Sequence, residues 1–301
     1  MRRISHGYNT CMTTFPITSD ILELQKIAHQ LRLDVLEMLH LAGSGHIGWP
    51  FGMADIFAAL YFSFLKTTPE SPSDPDRDYC LLSNGHICPI YYAALGRRGF
   101  FPIEEFQHLR KIDSLLQGHP KLSIPGVENS SGPLGHGLSQ AVGIALALQW
   151  DKREKIKEKN EGNLSNKQRV VCCMSDGEHQ EGQTWEAVMS AHKWKLDNLI
   201  AIMDCNGLQI EWKTDEIMPL WNLAEKYRAF GWDVREIDGH DFTQILEALQ
   251  WADNCTHPAM IVAHTTLGKW VSFMENNWGY HDWAGKPGDY EKALAELNTK
   301  S

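Results

Sequence analysis

The sequence predicts an α/β fold in which a mostly parallel central sheet is flanked by helices. Short apolar runs alternate with segments of helical periodicity along most of the 301 residues. The runs are almost continuously hydrophobic, as expected for strands that are buried on both faces of a parallel sheet. The composition, 43% hydrophobic and 22% charged, allows a large core and excludes a disordered chain or a small disulfide scaffold.

Helical periodicity dominates the first half of the chain. Apolar residues recur at helical spacing over residues 24–39, between a cap at Ser19 or Asp20 and a stop at Gly43 and Gly45. The predicted elements that follow are a helix over 53–64, a loop with three prolines over 67–78, a strand over 79–82, a helix over 104–111, a glycine-rich turn over 130–137 and a helix over 138–150. The last helix is apolar on all sides, which predicts deep burial.

Strands and helices alternate in the second half of the chain. Residues 151–169 are rich in Lys, Glu and Asn, so we interpret them as a solvated helix end and surface loop rather than a domain boundary. The predicted strands cover 170–174, 199–204, 233–237 and 259–264, and the predicted helices cover 182–194, 224–230, 242–252 and 289–298. We therefore expect one domain over residues 1–301.

Charge and cysteine usage limit the partners and the compartment. Acidic residues outnumber basic ones by 38 to 28, and the net charge of -10 argues against nucleic acid and anionic membrane as partners. No apolar run has the length of a signal peptide core or a membrane span. The seven cysteines lack disulfide spacing, and Cys172 and Cys173 lie in an apolar run, which predicts buried thiols and a cytoplasmic protein.

Polar residues follow two consecutive strands of the predicted sheet. One strand leads into Ser175-Asp176-Gly177-Glu178 and the next into Asp204-Cys205-Asn206-Gly207. Ligands bind at the carboxyl edge of parallel sheets, where Asp176 and Asn206 would converge as oxygen ligands for Mg²⁺ or Ca²⁺. The following helix would offer backbone N–H groups to an anion. Ordinary Asp-Gly and Asn-Gly turns are the simpler interpretation of each motif alone, but their matched positions favour a metal-bound diphosphate.

These motifs, taken together, resemble the N-terminal, diphosphate-binding half of transketolases. The Asp176 and Asn206 pair resembles the thiamine diphosphate signature. Further matching segments occur in the family's order: Ser44-Gly45-His46, Leu82-Ser83-Asn84-Gly85-His86, Gln117-Gly118-His119-Pro120, Gly132-Pro133-Leu134-Gly135-His136-Gly137 and Gln180-Glu181-Gly182. The resemblance implies a three-layer thiamine-diphosphate-binding fold whose cofactors are thiamine diphosphate and Mg²⁺ or Ca²⁺.

The resemblance also implies roles for individual residues. Asp176, the Asn206 side chain and the Leu208 carbonyl would bind the metal ion. The implied cofactor-binding residues are Gly132, Leu134, Ser175, Gly177, Glu178, Asn206 and Ile210. Ser175 stands where the family usually has glycine, and core packing is an equally good interpretation of Leu134 and Ile210.

Four histidines are candidate catalytic residues, because each follows or flanks glycine or a strand end. Imidazole titrates near neutral pH and suits proton transfer between hydroxyl and carbonyl groups. In transketolases the histidines that match His46, His86, His119 and His281 line the substrate channel. His281 matches less closely, because the family's Trp-His-Gly element is Tyr280-His281-Asp282 here. A zinc site, and hence a histidine-rich metallohydrolase, is the competing interpretation, although the close ligand pairs of zinc sites are missing.

The parts of a transketolase that this chain lacks predict a split enzyme. Thiamine enzymes use a glutamate beside the aminopyrimidine ring to start catalysis, and nothing here resembles that pyrimidine-binding domain or the C-terminal domain. A C-terminal transketolase subunit would supply the glutamate in an α2β2 assembly. The reaction implied is transfer of a two-carbon ketol unit from a ketose or ketose phosphate to an aldose. The alternatives are a subunit of a 2-oxo-acid decarboxylating thiamine enzyme, or a cofactor-binding regulatory subunit without catalysis.

Three tryptophans stand where relatives often have glycine or another small residue. Trp49, Trp212 and Trp270 would reshape the substrate channel if they line it. Core or interface packing is the simpler interpretation of all three.

Overall fold

A five-stranded parallel sheet organises the computed structural model, which describes residues 14–159, 167–210, 212–283 and 286–300. The strands are β1 (Tyr79–Leu82), β2 (Val170–Ser175), β3 (Leu199–Cys205), β4 (Asp233–Asp238) and β5 (Ala259–His264), in the spatial order β1-β2-β3-β5-β4. Every neighbouring pair in this order is parallel, so all five carboxyl ends lie at one edge. The predicted sheet is confirmed, and β2, β3 and β4 each extend one residue further than predicted.

Helices cover both faces of the sheet. They are α1 (Ile21–Ala42), α2 (Gly48–Gly52), α3 (Ala54–Ala59), α4 (Cys88–Arg98), α5 (His136–Lys159), α6 (Gly182–Trp194), α7 (Thr214–Ile217), α8 (Leu223–Ala229), α9 (Phe242–Asp253) and α10 (Asp289–Asn298). Val171 and Cys173 of β2 pack with α1 to α4, α9 and α10, while Cys172 and Met174 pack with α5, α6 and α8. The alternation of side chains along the strands therefore confirms a three-layer fold.

The ends of α1 follow the residues that the sequence singles out. The Asp20 carboxylate accepts hydrogen bonds from the first turn, including one of 2.8 Å from the Leu22 N–H. At the other end Gly43 adopts a left-handed conformation, with φ 68°, and its N–H donates to the Leu39 carbonyl. Both are standard ways to satisfy the unpaired backbone groups of helix ends.

Two helical predictions in the first half are wrong in detail, and one observed helix is absent from the predictions. Instead of one helix over 53–64, α2 and α3 are separated at Met53 and are followed by a π-helical turn over Leu60–Phe64. The segment 104–111 forms a 3₁₀ helix over Ile103–His108. Helix α4 is missing from the predicted elements, although Pro89 near its start and the left-handed Gly99 at its end are recognisable signals.

The burial predicted for α5 is also wrong. Leu138, Ala141 and Ala145 are fully buried, but the opposite face is open to solvent and Trp150 is 51% exposed. An apolar pattern all around a helix does not distinguish burial in the core from a face that is open in the single chain. The helix continues to residue 159, within the segment interpreted as a solvated helix end; residues 160–166 of that segment lie outside the described ranges.

No helix among the described residues is both long and apolar enough to cross a lipid bilayer.

A buried ion pair joins α1 to α3 and contacts the loop after β4. Arg32 of α1 forms a two-pronged pair with Asp55 of α3, at 3.0 and 2.6 Å, and both side chains are buried. The second Asp55 oxygen is also 2.8 Å from Nδ1 of His240, in the loop after β4. Because a buried charge without its partner costs several kcal/mol, this cluster should be important for stability.

We predict that Asp55→Asn lowers the free energy of unfolding by about 3 to 5 kcal/mol, because the Arg32 charge stays buried without its counter-charge. Urea unfolding of the purified chain measures this change. Glu225→Gln is the control, since Glu225 forms an exposed pair with Arg228 that should contribute less than about 1 kcal/mol. Equal losses in the two variants would contradict the prediction.

Candidate functional site

The register of β2 and β3 brings the two polar motifs together. Ser175 pairs with Asp204, so Asp176 and Asn206 leave adjacent strands at the same edge. They open into a cavity of about 450 Å³, a size suited to a small ligand. Of the predicted site residues, the cavity is lined by His46, His86, His281, Gly132, Leu134, Ser175, Asp176, Gly177, Glu178, Asn206, Leu208 and Ile210. Their individual roles stay predictions.

Asp176 is the central carboxylate of this cavity. It is buried, and its two oxygens accept hydrogen bonds of 2.7 Å from the N–H groups of Gly177 and Gly207. Burial raises the pKa of Asp176 to about 7, and the neighbouring Asp204 carboxylate adds to the rise. The site therefore concentrates negative charge in a small volume, which a divalent cation would neutralise.

The donor set fits a metal-bound diphosphate. Asp176, Asn206 and Leu208 line the cavity and carry carboxylate, amide and carbonyl oxygens, which are the ligand types that a hard divalent cation prefers. Neither lysine nor arginine is among the described residues that line it. A diphosphate in this cavity would therefore need a divalent cation as its counter-charge, and the oxygens to hold that cation are present.

Glu178 connects the loop of residues 175–178 to the glycine-rich turn. Its carboxylate accepts a long hydrogen bond, 3.4 Å, from the Gly135 N–H, and burial raises the pKa of Glu178 to about 8. Gly135 has a left-handed backbone with φ 78° and packs against Glu181 and Thr184. The turn that carries Gly132 and Leu134 is thus held against the loop that carries Asp176.

Three of the four candidate histidines lie together. The ring centroids of His46 and His281 are 4.7 Å apart, and those of His46 and His86 are 5.5 Å apart. Burial, and then the proximity of the other histidines, lowers the pKa of His86 well below its usual value. His119 lies outside the set that lines the cavity, although its ring is close to Gly132.

Leu134 and Ile210 are not core residues. Their side chains line the cavity and are 37% and 63% exposed. The core-packing interpretation of these two residues is therefore wrong. Exposed leucine and isoleucine side chains at the mouth of a cavity are typical of surfaces that contact a ligand or a second chain.

The three unusual tryptophans have different environments. Trp49 is buried and lines the cavity beside His281. Trp270 packs under the Arg32 guanidinium, 4.4 Å from the ring centroid, and is part of the packing around α1. Trp212 is exposed and its indole N–H donates to Glu216. Of these three tryptophans, only Trp49 lines the cavity.

Sequence reasoning missed four polar residues at the cavity, of which Glu181 is exposed. Asp204 lines it from the end of β3 and accepts a hydrogen bond from the Thr265 hydroxyl. Gln180 and Gln209 line it as well, and their side chains form a 3.0 Å hydrogen bond to each other. Asp204 precedes Asn206 by two residues and was identifiable from the strand end, whereas the glutamine pair depends on tertiary folding.

His179 stabilises the loop of residues 175–178 by hydrogen bonds to its backbone. Its Nδ1 is 2.9 Å from the Ser175 carbonyl and 3.1 Å from the Asp176 carbonyl, so this nitrogen carries the proton. Nε2 then accepts from the Tyr227 hydroxyl at 2.8 Å. Burial lowers the pKa of His179 to about 4, which keeps the ring neutral near pH 7.

The fold and the cavity together define an α/β protein with a carboxylate-lined ligand site at the carboxyl edge of a parallel sheet. A family model described as transketolase, thiamine diphosphate binding domain, matches residues 24–295. The chain therefore belongs to this family.

Similar proteins include individual chains of multi-chain transketolases. The chain is 36% identical over 282 residues to one subunit of the apulose-4-phosphate transketolase of Phocaeicola vulgatus, covering 93% of this chain and 95% of that one. It is 39% identical over 278 residues to a 6-deoxy-6-sulfo-D-fructose transketolase subunit of a Clostridium species, covering 92% and 96%. Both relatives are thus matched over nearly their whole length.

Solved transketolase structures share the fold. The Campylobacter jejuni enzyme superimposes with a TM-score of 0.84 at 33% identity, and the Leishmania mexicana enzyme with 0.85 at 30%. The matches cover 93% and 94% of this chain but only 43% and 42% of those chains. This chain therefore spans less than half the length of these transketolases.

We predict that Gly137→Ala destabilises the chain by about 1 to 3 kcal/mol, because an added Cβ would lie 2.5 Å from the Ser83 backbone. Gly143→Ala on the same helix meets no atom within 4 Å and should be neutral or stabilise by up to about 1 kcal/mol. Thermal or urea unfolding compares the two variants. Similar effects from both alanines would contradict the close packing of the turn on the segment after β1.

We also predict that His179 makes stability fall in acid. Its pKa is about 4 in the folded chain and near 6.5 when unfolded, so the unfolded chain binds the extra proton between these values. The associated loss, about 3 kcal/mol from pH 7 to pH 4, should be absent in His179→Gln. Urea unfolding over this pH range tests it, with the exposed His264→Gln as control. Parallel pH profiles for wild type and His179→Gln would refute the prediction.

Proposed function

We propose that this chain is the thiamine diphosphate-binding subunit of a two-subunit transketolase, which transfers a two-carbon ketol unit from a ketose donor to an aldose acceptor. The observation that carries the proposal is that one cavity is lined both by candidate metal ligands and by a cluster of histidines. Asp176 and Asn206 enter it from adjacent strand ends, and His46, His86 and His281 line the same cavity. A diphosphate site beside neutral histidines suits this reaction.

The oxygen ligands would hold Mg²⁺, or Ca²⁺, between the chain and the diphosphate. Asp176, the Asn206 side chain and the Leu208 carbonyl are the proposed ligands. Ser175, Gly177 and Glu178 would adjoin the diphosphate. Gly132, Leu134 and Ile210 would contact the rings of the cofactor. When bound, thiamine diphosphate supplies an electron sink for the two-carbon unit.

The histidines would bind and orient the sugar. His46, His86 and His281 are held neutral, because burial lowers the pKa of each, that of His281 to about 4. Neutral imidazoles can donate to or accept from sugar hydroxyl groups and move protons between them. We propose the same role for His119, whose ring lies near Gly132 at the side of the cavity.

A second subunit would complete the site. Ile210 and Ile217 line the cavity and are open to solvent, and Met218 and Trp221, which follow Ile217 closely in the sequence, are 55% and 81% exposed. The chain covers less than half of the C. jejuni enzyme, and the relative from P. vulgatus is itself named as one subunit of a transketolase. We propose that this chain is one diphosphate-binding domain and that a C-terminal transketolase subunit covers the rim, supplies the catalytic glutamate and forms an α2β2 assembly.

The substrates would be sugars with an anionic group. The two subunit relatives are named for apulose 4-phosphate and for 6-deoxy-6-sulfo-D-fructose, a phosphate and a sulfonate.

We extend the proposal to the compartment and place the protein in the cytoplasm, because the six cysteines that the structure describes are unpaired and four of them are buried.

The proposal predicts activity only in a mixture of two chains. The purified chain is assayed for ketol transfer from fructose 6-phosphate, alone and with a companion C-terminal transketolase subunit, in the presence of thiamine diphosphate and Mg²⁺. We expect turnover only in the mixture. Asp176→Asn should weaken the apparent affinity for Mg²⁺ by about 10- to 100-fold, since it removes a charged ligand.

Asp76→Asn is the matched control, because Asp76 is an exposed aspartate in the loop before β1. Full activity of the chain alone would overturn the two-subunit proposal. Cofactor binding without turnover in the mixture would indicate a regulatory subunit, and pyruvate consumption without ketose cleavage would indicate a decarboxylating enzyme.

A further inference from the structure

The indole of Trp49 is hydrogen-bonded to one of the cavity histidines. Its Nε1–H donates to Nδ1 of His281 over 2.6 Å, and both residues are buried, with 4% and 9% of their surface exposed. We propose that Trp49 is a positioning residue that holds His281 as a hydrogen-bond donor at Nε2 and prevents it from binding a metal ion. That this donor meets a sugar oxygen rests on the function proposed above.

The direction of this hydrogen bond determines the tautomer. An indole nitrogen can only donate, so Nδ1 of His281 must accept and carries no proton. A neutral imidazole then has its proton on Nε2. Burial, and secondarily the nearby His46, lowers the pKa of His281 to about 4, so the neutral form predominates near pH 7.

The tautomer sets what His281 can do in the cavity. Nδ1 is committed to Trp49, so Nε2 is the nitrogen that remains for a ligand. An Nε2–H group donates to a hydroxyl, carbonyl or alkoxide oxygen of a sugar. The ring cannot take up a further proton without becoming charged, which burial disfavours. His281 would therefore bind and polarise oxygen rather than act as a base.

The same argument bears on a group of atoms that resembles a metal site. One ring nitrogen of His46, one of His281 and a carboxylate oxygen of Asp282 lie within 4.8 Å of one another. The His46 and Asp282 atoms are 2.7 Å apart, and those of His281 and Asp282 are 3.9 Å apart. Zinc binds only to an unprotonated imidazole nitrogen, and the hydrogen bond from Trp49 places the proton on the nitrogen that zinc would need.

The tautomer of His281 is measured directly by long-range ¹H–¹⁵N correlation NMR of the full-length chain. The imidazole signals that disappear in the His281→Gln variant are those of His281, so this variant assigns them. We expect the wild type to show a protonated Nε2 and an unprotonated, hydrogen-bonded Nδ1. Trp49→Phe keeps an aromatic ring but removes the donor, so the Nδ1–H tautomer should become populated.

A second replacement keeps the shape of the side chain. Benzothienylalanine at position 49 has the outline of tryptophan without the N–H group, and it should change the tautomer in the same way as Trp49→Phe. Trp251→Phe, on α9 and away from the cavity, is the control that should leave the signals of His281 unchanged. An Nδ1–H tautomer in the wild type, or an unchanged tautomer in both variants at position 49, would overturn the proposal.

Zinc affinity tests the second part of the proposal. Competition with a chromophoric chelator should show that Trp49→Phe binds Zn²⁺ about 10- to 100-fold more tightly than the wild type. Asp282→Asn in that background should return the affinity to the wild-type level. Equal zinc affinity of wild type and Trp49→Phe would refute the exclusion of metal.

Both measurements use the chain alone, without cofactor, substrate or partner. A chain that is inactive with every partner but shows the expected tautomer would contradict only the proposed transketolase function. An active mixture whose His281 has the other tautomer would contradict only the role of Trp49.

Discussion

The site depends on one constraint, the parallel register of β2 and β3. Because Ser175 lies opposite Asp204, the chain leaves both strands at the same height, and the Asp176 carboxylate can accept from the Gly207 N–H at 2.7 Å. A shift of one residue would turn alternate side chains to the other face and separate these groups. The buried His179 and the glycine-rich turn both form hydrogen bonds to the loop of residues 175–178 and stabilise this arrangement.

The charge of the cavity and the apolar surface at its mouth both indicate that this chain binds further groups. The described lining of the cavity contains three buried carboxylates, those of Asp176, Glu178 and Asp204, and neither lysine nor arginine. Burial raises the pKa of each carboxyl, so the cavity is costly to keep fully ionised without a cation. Its mouth is apolar and exposed. The metal ion of a metal-bound anion would neutralise the carboxylates. A covering subunit would remove the apolar surface at the mouth from water.

The histidine cluster shows how burial and hydrogen bonding select a chemical form. Three imidazoles lie together in the lining of the cavity. Burial lowers the pKa of each, and the proximity of other histidines adds to this for His86 and His281, so the rings stay neutral. Neutral rings still differ by tautomer, and the donor in contact with each ring decides which nitrogen faces the ligand. For His281 this donor is Trp49, which fixes the tautomer by its hydrogen bond to Nδ1 and so has a chemical role in addition to packing.

Local signals in the sequence determined the strands, most helices and the polar residues at the strand ends. The bounds of β1, β5, α6 and α10 agree with the structure, because hydrophobic periodicity and capping residues act over a few positions. Only the tertiary structure decided which face of α5 is covered, since burial depends on what packs against a helix. It also decided the contact between Trp49 and His281, which are 232 residues apart, because chain pairing at that distance leaves no local pattern.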